Sequence, residues 1–252
     1  MKHTHKLSGA ALLAVLGVAL AVPTATKAEA NPWASKGSVE FDKDTSDSGD
    51  ITVPDTDTDI TITEPTPNTE DKDMKINAAT DLDFDKHTDL YDGKAKEYNA
   101  KKFSTTNKEN GEAIEMQHFV RFQDYRATTD HKYTVSAAMT SPFTNNGMVL
   151  EQASIIYNNL RTLTSKKDAN QDLIPVGTAT GAVTLTSDGA SQTFVSNTDP
   201  KKGFGQFDLL FGTNETAEDS VKLSIPAGVT IAKGIYTADI TWTIADVPAA
   251  AE

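Results

Sequence analysis

The 252-residue sequence predicts an all-β protein: an antiparallel β-sandwich or barrel-like domain with room for one short helix, preceded by a disordered acidic linker. Three observations carry that prediction. Apolar residues recur at every second position in many short segments, the period of strands with one buried and one wet face. Gly-, Asn-, Asp- and Pro-containing turn signals separate those segments. No long segment has the 3.6-residue apolar period of an amphipathic helix.

Lys2 and Lys6 come first, followed by an apolar run from Ala10 to Val22 and the small-x-small triplet Ala28-Glu29-Ala30. That order predicts a secretory signal peptide over 1–30, cleaved after Ala30. The run is shorter than the roughly 20 apolar residues that a membrane span needs. No comparable run follows, so the mature chain is expected to have no transmembrane segment. The end of the sequence past Pro248 has no apolar tail and no covalent wall-anchoring pattern, so surface retention is expected to depend on binding.

Residues 31–73 are of a different composition. Asp42, Asp44, Asp47, Asp50, Asp55, Asp57 and Asp59 crowd together with Pro54, Pro65, Pro67 and many Thr and Ser. High like charge with few apolar side chains cannot offset the entropy of ordering a chain. An extended acidic linker is the expectation, although Ile51-Thr52-Val53 and Ile60-Thr61-Ile62 alternate well enough for a short edge strand. Asp55-x-Asp57-x-Asp59 has the spacing that opens an EF-hand loop, but the turn glycine and closing glutamate are missing, which favours a solvated spacer.

Residues 74–252 suffice for one domain with a real core. Ile114, Met116, His118, Val120 and Phe122 share one face of a strand-like segment, and Tyr133, Val135, Ala137 and Met139 share another. Ile155/Tyr157, Val183/Leu185, Phe207/Leu209/Phe211 and Val221/Leu223/Ile225 continue the pattern. Asn145-Asn146-Gly147, Ser187-Asp188-Gly189, Asp199-Pro200, Gly203-Phe204-Gly205, Pro226-Ala227-Gly228 and Lys233-Gly234 punctuate it. The alternation breaks around Glu151-Gln152-Ala153 and Asn158-Asn159-Leu160, the place where a short helix over 148–163 would fit. In the last segment Tyr236, Ala238, Ile240, Trp242 and Ile244 point one way, and Thr237, Asp239, Thr241 and Thr243 the other.

Composition excludes several functions. There is no cysteine, so thiol catalysis, thiolate metal sites and disulfide scaffolds are out. A net charge of −13 opposes binding to nucleic acid, and the Lys101-Lys102, Lys166-Lys167 and Lys201-Lys202 pairs read as solvated turns. No His-Glu-x-x-His, Gly-x-Ser-x-Gly, Walker or Rossmann pattern occurs, and no cofactor or metal is expected. His118 alternates with apolar neighbours, the setting of a hydrogen-bonded, half-buried histidine. A carboxylate pair acting on glycosides stays open only as a minor alternative.

The stretches Val221-Lys222-Leu223-Ser224-Ile225-Pro226, Gly234-Ile235-Tyr236-Thr237-Ala238 and Ile240-Thr241-Trp242-Thr243-Ile244, followed by Pro248, resemble the distal end of a WxL domain. WxL domains are surface domains of low-GC Gram-positive bacteria. Leu82-Asp83-Phe84 and Val120-Arg121-Phe122-Gln123-Asp124-Tyr125-Arg126 extend the likeness, the latter as the strand that leads through Asp-x-Arg to the proximal motif. Two departures stand out. Ile244 replaces the distal Leu, and His131-Lys132-Tyr133 stands where the proximal Trp-x-Leu belongs, with His131 at the Trp and Tyr133 at the Leu. The resemblance implies a non-catalytic secreted protein held non-covalently on peptidoglycan and assembling with other cell-surface proteins. It also implies that Trp242, Ile244, Tyr236, His131 and Tyr133 are the motif positions.

Periodicity bears on the role of these residues. Trp242 shares the apolar face of its strand and so reads as a core residue more than as an exposed sugar platform. Two further readings stay open. One is an interaction subunit that pairs with a partner surface protein without touching peptidoglycan. The other is a secreted glycan-acting enzyme.

Overall fold

The computed structural model describes residues 37–40, 49–56, 58–88 and 93–247. The signal peptide expected over 1–30 lies outside these residues. The chain divides into two compact units, Met1–Lys43 and Asp44–Glu252. Only 37–40 of the first are described, so the architecture below is that of the second. No helix among the described residues is long and apolar enough to cross a membrane.

The second unit is built almost wholly of antiparallel strands. In chain order the first are β1 (Ile51–Thr52), β2 (Thr61–Ile62), β3 (Met74–Ala79), β4 (Lys96–Asn99), β5 (Phe103–Thr106), β6 (Ala113–Met116) and β7 (His118–Asp124). A long β8 (Tyr133–Asn145) follows, then β9 (Met148–Val149), β10 (Ser154–Tyr157) and β11 (Leu160–Thr164). The rest are β12 (Val183–Thr186), β13 (Gln192–Asn197), β14 (Gly205–Phe211), β15 (Val221–Ile225) and β16 (Thr237–Asp246). Three sheets surround the main core, with strand orders β12-β10-β15-β4, β11-β14-β7-β3 and β13-β8-β16; β9 also pairs with β8. Val120 and Phe122, Tyr133 to Met139, Ile155 and Tyr157, Leu185, Phe194, Leu209 and Leu223 meet in one buried cluster, so each sheet gives its alternate residues to the same interior.

The expected short helix is found elsewhere than at 148–163. That stretch holds β9, β10 and β11, because Gln152 and Asn159 take positive φ angles of 58° and 55° as turn residues between strands. The one α-helix among the described residues is α1, Ala217–Ser220, between β14 and β15. A 3-10 turn covers Gln171–Leu173. The segment read as one strand from Ile114 to Phe122 is also divided. Gln117 separates β6 from β7, and Met116 joins a second buried cluster while Val120 and Phe122 join the first.

That second cluster takes in part of the stretch read as acidic linker. Residues 31–36, 41–48 and 57 lie outside the described residues. Residues 49–56 and 58–73, however, lie against the domain. Ile51, Val53 and Ile62 are buried with Phe103, Met116, Phe119 and Leu210. The alternation foreseen as an edge strand forms the β1–β2 hairpin, and Ile62 makes an isolated bridge to Asn107. Every residue of β7 is buried because its sheet has the main core on one face and these hairpins on the other. Arg121 of β7 lies opposite Asp208 of β14 and is bonded to it twice, at 2.7 and 2.9 Å, with both side chains buried. The same guanidinium donates to the Thr52 hydroxyl at 3.2 Å and the Thr52 carbonyl at 3.0 Å. At the surface, Arg161 Nη2 makes a single bond to the Asp55 carboxylate. A handful of apolar anchors and two arginines therefore order a stretch whose average composition predicts disorder.

Candidate functional site

The two candidate motif segments come together on neighbouring strands. β8 and β16 pair along their length, with Trp242 opposite Ala137, Ile244 opposite Val135 and Asp246 opposite Tyr133. β8 runs for 13 residues because Tyr133, Val135, Ala137 and Met139 all find the interior, and it ends at an Asn146-Gly147 turn with φ of 47° and 83°. Positive φ at both central residues is what a tight hairpin requires, and Asn-Gly is the dipeptide that supplies it.

On β16 the apolar face is half-buried and the opposite face exposed. The Trp242 ring centroid lies 4.6 Å from that of Phe194, 5.9 Å from Tyr157 and 6.0 Å from Phe211. Trp242 thus closes an aromatic cluster built from three other strands. With Tyr236, Ala238 and Ile240 it also walls a cleft of about 380 Å³ whose far side is Ala79 to Leu82 and Phe84. Tyr236 precedes the strand, and its hydroxyl accepts the Ala232 backbone N–H at 3.0 Å.

The other end of the strand pair is polar and tightly bonded. Asp124, fully buried at the end of β7, accepts from Arg126 Nε and Nη2 at 2.8 Å each and from His131 Nδ1 at 3.0 Å. A carboxylate only accepts, so Nδ1 carries the His131 proton. Burial alone would raise the Asp124 pKa. The hydrogen bonds from Arg126 and His131 outweigh that effect and hold the carboxyl below its ordinary range. The bond to Asp124, helped by Asp246, raises the Arg126 pKa further. Arg126 Nη1 also meets Asp246 of β16 at 2.9 Å, so this arginine ties the end of β7 to the end of the terminal strand.

Tyr133 is fully buried, and burial pushes its hydroxyl pKa well above the ordinary value. The hydroxyl donates to the Gly203 carbonyl at 3.3 Å. Asn197, also fully buried, donates to the carbonyls of His131 and Lys202 at 2.8 Å. These contacts clamp the 199–204 loop. Gly203 has a φ of 87°, and a Cβ there would sit 2.6 Å from Asn197 and 2.8 Å from Tyr133, so only glycine fits. Directly after it, Phe204 projects outward against His131 and Tyr125, with centroids 5.1 and 5.9 Å away.

The family description "WxL domain surface cell wall-binding" matches residues 28–248. The chain belongs to the WxL family. It is accordingly a cell-wall-binding protein of the cell surface. No curated protein and no solved structure matches it. In this WxL protein the candidate motif residues Trp242 and Ile244 face the interior from β16, and the candidates His131 and Tyr133 are buried at the start of β8. Tyr236 lines the same cleft as Trp242; His131 and Tyr133 belong to the polar end.

Sequence reasoning did not find Asn197, Asp246 or Phe204. Phe204 sat within a glycine-flanked turn, and an aromatic side chain between two glycines was the available signal of a projecting ring. Asn197 and Asp246 carried none, since the sequence does not show that Asn197 reaches His131 or that Asp246 reaches Arg126. Among the described residues no group of three His, Asp or Glu side chains is placed to hold a metal ion.

Proposed function

We propose that this protein is a non-catalytic, exported WxL surface protein held non-covalently on peptidoglycan by its β-domain, which we place at 74–252 with the 49–73 hairpin segment packed on it. Residues 1–30 act as the leader, and the acidic residues up to about 48 act as a spacer. The observation that carries the reading is the family match over 28–248, joined to the pairing of both motif segments on β8 and β16. Trp242, Ile244 and Tyr133 serve by fixing the strands and loops that present the binding surface. Their buried or half-buried positions support that role over direct contact with sugar.

Co-sedimentation of the purified mature protein with isolated peptidoglycan tests it. Unaided pelleting is the expected result. A protein left in the supernatant overturns the reading, and release of soluble glycan from the same material would instead reveal an enzyme.

One observation favours a second reading, assembly with another surface protein. β16 is an edge strand, paired with β8 on one side and with no other strand among the described residues. A ten-residue edge leaves backbone groups open to a partner's extended segment. Peptidoglycan pelleting that occurs only when a partner protein is added would favour it.

A further inference from the structure

The binding surface itself can be narrowed, on the reading that this protein holds peptidoglycan. A wall glycan offers sugar rings with apolar C–H faces, and many of those sugars bear a peptide with free carboxylates. Its receptor therefore needs an accessible aromatic face and an uncompensated cation beside it.

Trp242 is poorly suited, since its ring is packed on Phe194, Tyr157 and Phe211. A larger cleft, about 1170 Å³, is lined by acids that include Glu64, Asp81, Glu97, Glu115 and Glu218. Its lysines, Lys101 and Lys102, are outnumbered by these acids, and Lys101 is already shared between Asp83 and Asp85, so the cleft as a whole repels carboxylates. The remaining large exposed apolar side chains among the described residues are Val39, Met148, Ile235 and Phe204, and of these only Phe204 is aromatic.

We propose that Phe204, braced by Tyr125 and His131, is a sugar-stacking platform, and that Lys201 and Lys202 in the same loop receive a carboxylate of the peptide attached to that sugar. Phe204 is 41% exposed although two rings pack against it. Its loop is rigid: Tyr133 and Asn197 bond the carbonyls of Gly203, Lys202 and Asp199, and the Gly203 N–H donates to the Leu173 carbonyl at 2.7 Å. A platform fixed before binding loses little entropy on binding. The neighbouring cations Arg126 and Lys132 are engaged by Asp124, Asp246 and Asp130. The Lys201 and Lys202 side chains have no ion-pair partner among the described residues. Asp199, the acid of the same loop, accepts the Lys201 backbone N–H at 2.9 Å. The proximal motif position then acquires a purpose despite its burial: Tyr133 and His131 hold the platform in place.

The test uses the full mature chain, its Phe204→Ala and Phe204→Trp variants, and a Lys201→Glu/Lys202→Glu double variant. The probes are isolated peptidoglycan, a soluble muramyl disaccharide-pentapeptide and a neutral chito-oligosaccharide. Phe204→Ala is expected to weaken binding to peptidoglycan and to both soluble glycans about tenfold, with Phe204→Trp restoring it and the melting temperature unchanged. The double lysine variant is expected to lose affinity for the peptide-bearing probe and keep it for the neutral one. Wild-type pelleting matched by Phe204→Ala overturns this site and leaves wall binding standing. Equal loss on both soluble probes in the lysine variant overturns the carboxylate role. A wild-type protein that does not pellet overturns both the site and the wall-binding reading.

Discussion

At the scale of single residues, buried polar groups set the molecule's response to acid. His118 is buried, donates from Nε2 to the Lys101 carbonyl at 2.8 Å, and receives the Thr80 hydroxyl at Nδ1, 3.1 Å away. Burial lowers its pKa below the ordinary value of about 6.5. The unfolded chain thus binds this proton first, so the stability His118 contributes is complete above about pH 6.5 and declines as pH falls toward the folded pKa. Urea titrations between pH 7.5 and 5 should show that decline, and a His118→Gln variant should show less of it. Asp124 acts lower on the scale. Its folded pKa lies below the unfolded value, so its contribution is present above about pH 4 and is lost as pH drops through the folded value. Asp124→Asn should cost about 2 kcal/mol at neutral pH, the range of one charge-assisted bond, and should flatten the acid limb of the melting curve. Trp242→Ala opens the aromatic cluster and should cost about 3 kcal/mol, the low end for an aromatic truncation because the ring is half-buried. Wild-type melting of that variant with wall binding lost would assign Trp242 to contact instead.

At the scale of elements, the decisive pair is β7 with β14. Their Arg121–Asp208 bridge lies in the layer between the sheet and the β1–β2 hairpin, and Arg121 also holds Thr52. Arg121→Met leaves the Asp208 carboxylate buried without its partner, and a loss of about 3–5 kcal/mol is expected. The double change Arg121→Met/Asp208→Leu should recover much of it, since an apolar pair of similar volume needs no compensating charge. Chemical denaturation of the two variants distinguishes these outcomes; equal destabilisation would mean that the bridge is not a coupled unit. What the double variant fails to recover against wild type includes the lost bonds from Arg121 to Thr52 in the hairpin. β16 is governed differently. Its inward side chains and its pairing with β8 were visible as simple alternation, but its end is fixed by Arg126 bridging Asp124 and Asp246, residues 122 positions apart in the chain.

At the scale of the whole molecule, the proposed spacer and the packed hairpin of the acidic stretch should respond differently to deletion. Deleting 31–48 should leave the melting temperature unchanged. Deleting 31–66 should lower it, because Ile51, Val53 and Ile62 leave the second buried cluster and each contributes about 1.5–3 kcal/mol of burial. Equal melting of both truncations would show that the hairpin adds nothing to stability. By itself the sequence determined the all-β class, the alternating faces of β8, β10, β14, β15 and β16, and the likeness to WxL domains at Trp242 and Ile244. Those features follow from local rules: a period of two residues, turn chemistry and short motifs. Tertiary structure alone decided that the 49–73 stretch packs on the domain, that β6 and β7 serve different clusters, that Tyr133 and Asn197 clamp the 199–204 loop, and that Phe204 is an exposed aromatic ring among the described residues. Each of these depends on which distant strand becomes a neighbour, and the side-chain period along one strand carries no information about that.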